Sequence, residues 1–204
     1  MKKILLISYY WPPNAGVGAR RWLNFQKYLS KEYSITIYTP ENPTVLNEDE
    51  ALLNSVSSNT HTIKQKIWEP YDLYKKFTNK NKVNPGVLID STRGVKEKFT
   101  NWVRANFFIP DAKCFWIDQS VSYLSKLFSK DNFDYVISTG PPHSMHLIAL
   151  NLRERYNFKW IADFRDPWTN IEYFAKLPLI HASKKKHFDL QEKVISKANL
   201  ILTV

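Results

Sequence analysis

Cysteine is almost absent. Cys114 is the one thiol among 204 residues, so no intrachain disulfide can form and a reducing compartment fits. We read it as a small apolar residue. Long apolar runs are missing as well: nothing reaches the roughly 18 to 20 consecutive apolar residues that cross a bilayer. Met1, Lys2 and Lys3 precede a short apolar run, but that run ends at Tyr9 and Tyr10 without the small-residue cleavage site of a secretion signal. The expectation is a cytoplasmic protein, with membrane contact at most peripheral at the inner face of the cell membrane.

Several catalytic signatures are also lacking. No Gly-Lys-Ser or Gly-Lys-Thr is present, which excludes the phosphate loop of nucleotide hydrolases, and no G-x-S-x-G supports a serine hydrolase. His61, His143, His146, His181 and His187 contain no H-E-x-x-H or H-x-x-x-H pattern, so no metal is expected. His143 and His146 are spaced as ligands on one helical turn could be, yet no carboxylate or thiol stands near them in sequence. Aromatic RNA-reading motifs are missing, and no nucleic-acid partner is expected. Acidic residues are few: 19 Asp and Glu against 29 Lys and Arg leave a formal charge of +10. That balance favours an anionic partner such as nucleotide phosphate or an acidic lipid surface.

What is present begins with Ile4-Leu5-Leu6-Ile7, an unbroken apolar run suited to a strand buried on both faces. Pro12 and Pro13 stop it, Gly16 and Gly18 follow, and from Ala19 the residues Trp22, Leu23, Phe25, Gln26, Tyr28 and Leu29 form a helical pattern. Strand, glycine-bearing loop and helix present backbone N–H groups to an anion. The dinucleotide fingerprint G-x-G-x-x-G fails here, because Arg21 stands where the third glycine belongs. Arg20 and Arg21 either meet the anion or are solvated.

Further along, 34–39 and 61–68 alternate as strands, and 48–56 suits a short helix. Composition between 69 and 90 is the least regular, and a less ordered insert is expected over about 69–117. Within it, 94–108 reads as a basic helix bearing Phe99, Trp102 and Phe107, fitted either to cover the sheet or to lie on an anionic membrane. A helix capped by Asp118 or Ser120 runs to Phe128. Strands follow at 133–138, 158–162 and 199–204, and helices at 144–155 and 182–197. The alternation predicts an α/β, Rossmann-like, doubly wound parallel sheet with helices on both faces.

Ligands of such sheets bind beyond the carboxyl ends of the strands. Three polar clusters fall there: Asn14 to Arg21, Thr139 to Ser144 and Asp163 to Thr169. His143 stands at a helix mouth, where the N–H groups are expected to be free, and either it or Ser144 caps that helix. Asp163 and Arg165 either bind ligand or pair with each other and the loop backbone, and Asp166 before Pro167 either binds or starts a turn. Lys184, Lys185 and Lys186 read as a solvated face.

Taken together, KILLISYYWPPNAGVGARR, NFFIPDAKCFW, STGPPHS, ADFRDPW and EKVISKANLILTV resemble the N-terminal domain of GT-B fold glycosyltransferases of glycosyltransferase family 4, bacterial surface-polysaccharide type. The resemblance implies that residues 1–204 are the acceptor-side domain of a two-domain enzyme whose C-terminal donor-binding domain, with its E-x7-E segment, is missing from this chain. It implies retaining transfer from a nucleotide-sugar donor to a glycan or lipid-linked acceptor, with the nucleotide sugar as substrate and no cofactor or metal. Gly16 and Gly18 would approach the donor phosphates, with Arg20 and Arg21 among the substrate-binding residues. His143 would be the catalytic contact near the transferred sugar, and Asp163, Arg165 and Asp166 would border the acceptor. This chain alone is expected to bind weakly and to catalyse nothing. The competing expectations are a non-catalytic nucleotide- or anion-binding module and a peripheral membrane binder.

Overall fold

A computed structural model describes residues 1–44, 47–68 and 95–204. Six parallel strands form one sheet in the order β3-β2-β1-β4-β5-β6. They are β1 (Lys2–Ile7), β2 (Tyr33–Pro40), β3 (Thr60–Gln65), β4 (Tyr135–Gly140), β5 (Lys159–Phe164) and β6 (Leu200–Thr203). The helices are α1 (Val17–Leu29), α2 (Val95–Phe107), α3 (Trp116–Phe128), α4 (Ser144–Arg153), α5 (Glu172–Ala175) and α6 (His181–Lys197). The doubly wound α/β architecture expected from the alternation is the one observed. The chain winds outward from β1 to β3 and then returns to place β4 on the other side of β1, which makes β1/β4 the switch point.

Successive side chains of a strand face opposite ways, and the run in β1 uses both faces. Leu5 and Ile7 join Trp116, Leu124, Met145, Ile148 and Trp160 in one core, under α3, α4 and α6. Ile4 and Leu6 join Trp22, Leu23, Ile35, Ile37 and Ile137 in the other, under α1. A strand buried on both sides must be apolar throughout, which is why this run does not alternate.

Boundaries moved for identifiable reasons. α3 starts at Trp116 rather than at an Asp118 or Ser120 cap, because Trp116 is fully buried and stacks on Tyr38 with ring centroids 5.2 Å apart. Packing outweighed capping chemistry there, and Asp118 lies in the first turn, where its charge suits the helix dipole. The short helix expected over 48–56 is a 3₁₀ segment, Glu50–Ser55, begun by Asp49 accepting the Ala51 N–H at 3.0 Å. Phe25 and Tyr28 leave the buried face of α1 and are 44% and 72% exposed, because Gly18, Ala19, Trp22, Leu23 and Gln26 alone face the sheet. The turn α5 has no counterpart in the expectation. Of the irregular insert expected over about 69–117, residues 69–94 lie outside the described residues; 95–117 contains α2 and the start of α3.

Candidate functional site

Two of the three polar clusters follow the strands that flank the switch point, β1 and β4, and the third follows β5, the next strand beyond β4. Their contacts bring them together. A β-carbon built on Gly18 in α1 would collide with the Arg165 guanidinium from the β5 loop and sit 3.0 Å from the Tyr10 ring. Arg165 itself donates to the Pro141 carbonyl of the β4 loop and stands over the Tyr10 ring at 5.9 Å. One guanidinium therefore touches all three loops.

Asp163 ties the same loops together from beneath. It is the penultimate residue of β5, opposite Thr139 in the β4 register, and is 0% exposed. Its Oδ2 accepts from the Trp22 indole N–H at 2.7 Å and from the Thr139 hydroxyl at 2.9 Å, while Oδ1 accepts from Arg21 at 3.0 Å. A buried charge needs such partners. Asp163, expected to border an acceptor, is thus buried with both carboxylate oxygens engaged by α1 and β4. Asp163 and Arg165 do not hydrogen-bond each other, since each already has its own partner.

The amino end of α1 is uncapped among the described residues. No side chain caps it, its first turn holds no acid, and the Asn14 side chain accepts only the Gly16 N–H, at 3.0 Å. Arg20 is exposed and donates through Nε to the Ala15 carbonyl at 2.9 Å, bracing the glycine loop. The Nε atoms of Arg21 and Arg165 are buried without a hydrogen-bond partner among the described residues. Burial lowers the Arg165 pKa, opposed by Asp163 and Asp166. An anion arriving here would meet helix N–H groups and two guanidinium groups held on rigid elements. Asp166 is exposed on the rim.

The mouth of α4 differs from the expectation of free N–H groups. Asp111, which precedes α3, fills it: its carboxylate accepts the Ser144 N–H at 2.9 Å and the Ser144 hydroxyl at 2.7 Å. Asp111 comes from 33 residues away, so no local pattern could disclose it. His143 is the N-cap residue, yet its side chain does not cap. The ring lies flat on Trp168, centroids 4.8 Å apart at an interplanar angle of 2°. It is 4% exposed, and both of its ring nitrogens are buried without a partner among the described residues.

His146, one turn on, is fully buried and stacks on Phe164 at 4.4 Å. Trp160 donates its indole N–H to Ser138 Oγ at 2.9 Å, and Ser138 Oγ lies 2.8 Å from His146 Nδ1. The hydroxyl can donate to Nδ1 or accept from it, and the Nε2 on the far edge of the His146 ring is buried without a hydrogen-bond partner among the described residues. That Nε2 would lie 2.7 Å from a β-carbon on Gly140, and His143 Nδ1 3.1 Å from it. Only glycine fits there.

Burial holds the His143 pKa down to about 3 and that of His187 to about 4, and pushes His146 well below its ordinary value. All three are neutral at pH 7. Unfolded histidine takes its proton near pH 6.5, so between that value and about 3 to 4 the unfolded chain binds more protons than the folded one. Stability falls as the solution is acidified through this window, and urea midpoints measured from pH 7 to pH 4 should decline. Replacing His143 or His187 by an uncharged residue should flatten that slope.

Among the described residues no group of three His, Cys, Asp or Glu side chains could hold a metal, and no helix is long and apolar enough to cross a membrane.

No protein-family model matches the chain, and no curated protein matches it. Solved structures do. Sucrose-phosphate synthase of Thermosynechococcus elongatus superposes with a TM-score of 0.54 at 14% identity, over 98% of this chain and 42% of that one. MurG of Acinetobacter baumannii follows with a TM-score of 0.46 at 11% identity, over 100% of this chain and 41% of that one. UGT2 of Phytolacca americana, complexed with UDP-2fluoro-glucose and pterostilbene, gives 0.43 at 12%, over 80% of this chain and 30% of that one. The chain thus spans well under half the length of these proteins. At such identities the likeness is one of fold alone, a Rossmann-like α/β unit.

Proposed function

We propose that this chain is the acceptor-side, N-terminal domain of a retaining, family 4-like glycosyltransferase. The enzyme moves a sugar from a nucleotide-sugar donor to a glycan or lipid-linked glycan in surface-polysaccharide synthesis. The observation that carries this reading is the uncapped amino end of α1 packed against the Arg165 guanidinium beside the β1/β4 switch point. When a sugar–phosphate bond breaks, the departing nucleoside diphosphate gains negative charge, and donors already in place stabilise it. In this reading Gly16 and Gly18 admit the diphosphate to the backbone, and Arg21 and Arg165 neutralise it. Arg20 and Asp166, exposed on the rim, meet the acceptor.

His143 hydrogen-bonds a hydroxyl of the transferred sugar. A buried nitrogen without a partner costs about 1 to 3 kcal/mol, and a ligand hydroxyl that reaches it recovers that cost. A panel of sugar nucleotides offered to the full-length protein, with nucleotide release as the readout, tests the assignment. One donor should be turned over, and His143→Ala should slow it by about tenfold or more. The alternative, a non-catalytic anion-binding module, binds nucleotide and releases none. Turnover untouched by His143→Ala removes the histidine from the site.

The same reading extends to a membrane. Phe99, Trp102 and Phe107 of α2 are exposed and touch in series, with ring centroids 6.2 and 6.1 Å apart. Lys98 beside them is exposed as well. Aromatic rings with adjacent lysine suit an anionic headgroup layer, where a lipid-linked acceptor would be found. In liposome sedimentation the protein should partition onto vesicles rich in anionic lipid, and Trp102→Ala with Phe107→Ala should release it. Equal binding to neutral vesicles would reject the surface.

A further inference from the structure

The loop after β5 does not stand alone. Trp168 donates its indole N–H to His187 Nδ1 at 3.1 Å, and the next residue, Thr169, donates its backbone N–H to Gln191 Oε1 at 2.9 Å. His187 and Gln191 are four residues apart, so they stand one above the other on a single face of α6 and form a polar ledge. His187 is 4% exposed, and Phe174 of α5 sets its ring edge-to-face against it at 5.1 Å. His187 thus meets the edge of the Trp168 indole, and a face of the same ring carries the flat stack on His143.

We propose that His187 and Gln191 are positioning residues for His143: they hold Trp168 in the plane on which the His143 imidazole lies. The contacts run from α6 through the β5 loop to the start of α4, three segments between residues 143 and 191. An indole has one hydrogen to donate, and its acceptor, with the burial of the ring, restrains the rotation of Trp168 about its side-chain bonds. The stack then restrains His143, whose nitrogens have no hydrogen-bond partner among the described residues to orient them. A side chain without polar partners is held by packing alone, so a change in its platform changes its direction. This inference rests on the role given to His143 above, but its geometry is open to a measurement independent of turnover.

The measurement is the proton spectrum of the histidine-labelled 204-residue chain, with the His143 resonances identified by their loss in His143→Gln. A parallel indole moves the His143 ring protons upfield. In His187→Leu, which removes the acceptor, that displacement should largely vanish. In His187→Asn, whose side-chain oxygen takes the place of Nδ1, it should return. Unchanged His143 ring shifts in His187→Leu overturn the proposal. Gln191→Met, which frees the Thr169 N–H alone, carries the same test should His187→Leu fail to fold: a reduced displacement supports the ledge and an unchanged one overturns it. Transfer by the full-length protein separates the two claims. Lost ring shifts with undiminished transfer leave the ledge standing and remove His143 from the reaction.

Discussion

Asp163→Ala lowers the stability of the domain by about 3 to 5 kcal/mol, the loss expected when one partner of a buried charged pair is removed. The carboxylate is 0% exposed and accepts from Arg21, Trp22 and Thr139. Its removal strands all three donors. The Arg21 side chain is 22% exposed, so part of its charge can be rehydrated, but the Trp22 N–H and the Thr139 hydroxyl cannot reach water. Each stranded donor costs about 1 to 3 kcal/mol, and a cavity term adds to them. Asp163→Asn keeps the shape and one acceptor oxygen while turning an amide N–H toward Arg21, and should cost roughly half as much. Urea unfolding decides the matter through the midpoint, with the slope unchanged. A loss under about 1 kcal/mol for Asp163→Ala would mean that α1 is held by packing rather than by this carboxylate.

Gly18→Ala should separate stability from binding. Alanine is better than glycine inside a helix by about 1 kcal/mol, so propensity alone predicts a gain. The new β-carbon meets the end of the Arg165 side chain and, at 3.0 Å, the Tyr10 ring. A guanidinium can swing aside, so the fold survives with stability within about 1 kcal/mol of the parent. Arg165, however, leaves the amino end of α1 and its hold on Pro141. With a charge-assisted contact worth about 1.5 to 3 kcal/mol gone, the affinity for nucleoside diphosphate should fall by about tenfold or more. Arg165→Ala should show the same loss, and calorimetry on the two variants side by side checks it. Intact affinity in Gly18→Ala would place the anion elsewhere.

How much of this was legible beforehand differs from element to element. The apolar run in β1 and the helical spacing around Trp22 announced a buried parallel strand and its crossover helix, because burial on two faces or one leaves a periodic mark on composition. The Asp163–Arg165 loop was legible as a polar cluster at the edge of the sheet, and the partners of its side chains were not. Whether a carboxylate faces ligand or core depends on its partners, and the Arg21 that claims Asp163 lies 142 residues away. Asp111 at the mouth of α4 escaped notice for the same reason. Trp168 closed the ADFRDPW segment with no role of its own, His187 and Gln191 carried no motif, and their relation became visible only when α6 was seen packed beside the β5 loop. The cap expected at Asp118 or Ser120 failed because a buried tryptophan gains more from its neighbours than a helix end gains from a polar cap.

From the order of residues alone came the α/β alternation, the edge of the sheet where polar loops gather, and the net positive charge of +10. All three follow from local periodicity and from charge, which need no fold to be counted. Tertiary structure decided which groups at that edge are occupied and which are unpaired. It committed Asp163 to α1 and β4, gave the α4 mouth to Asp111, and left His143 flat on Trp168 with neither nitrogen partnered among the described residues. Hydrogen-bond partners between distant segments exist only after the chain has closed upon itself, and no short-range pattern encodes them.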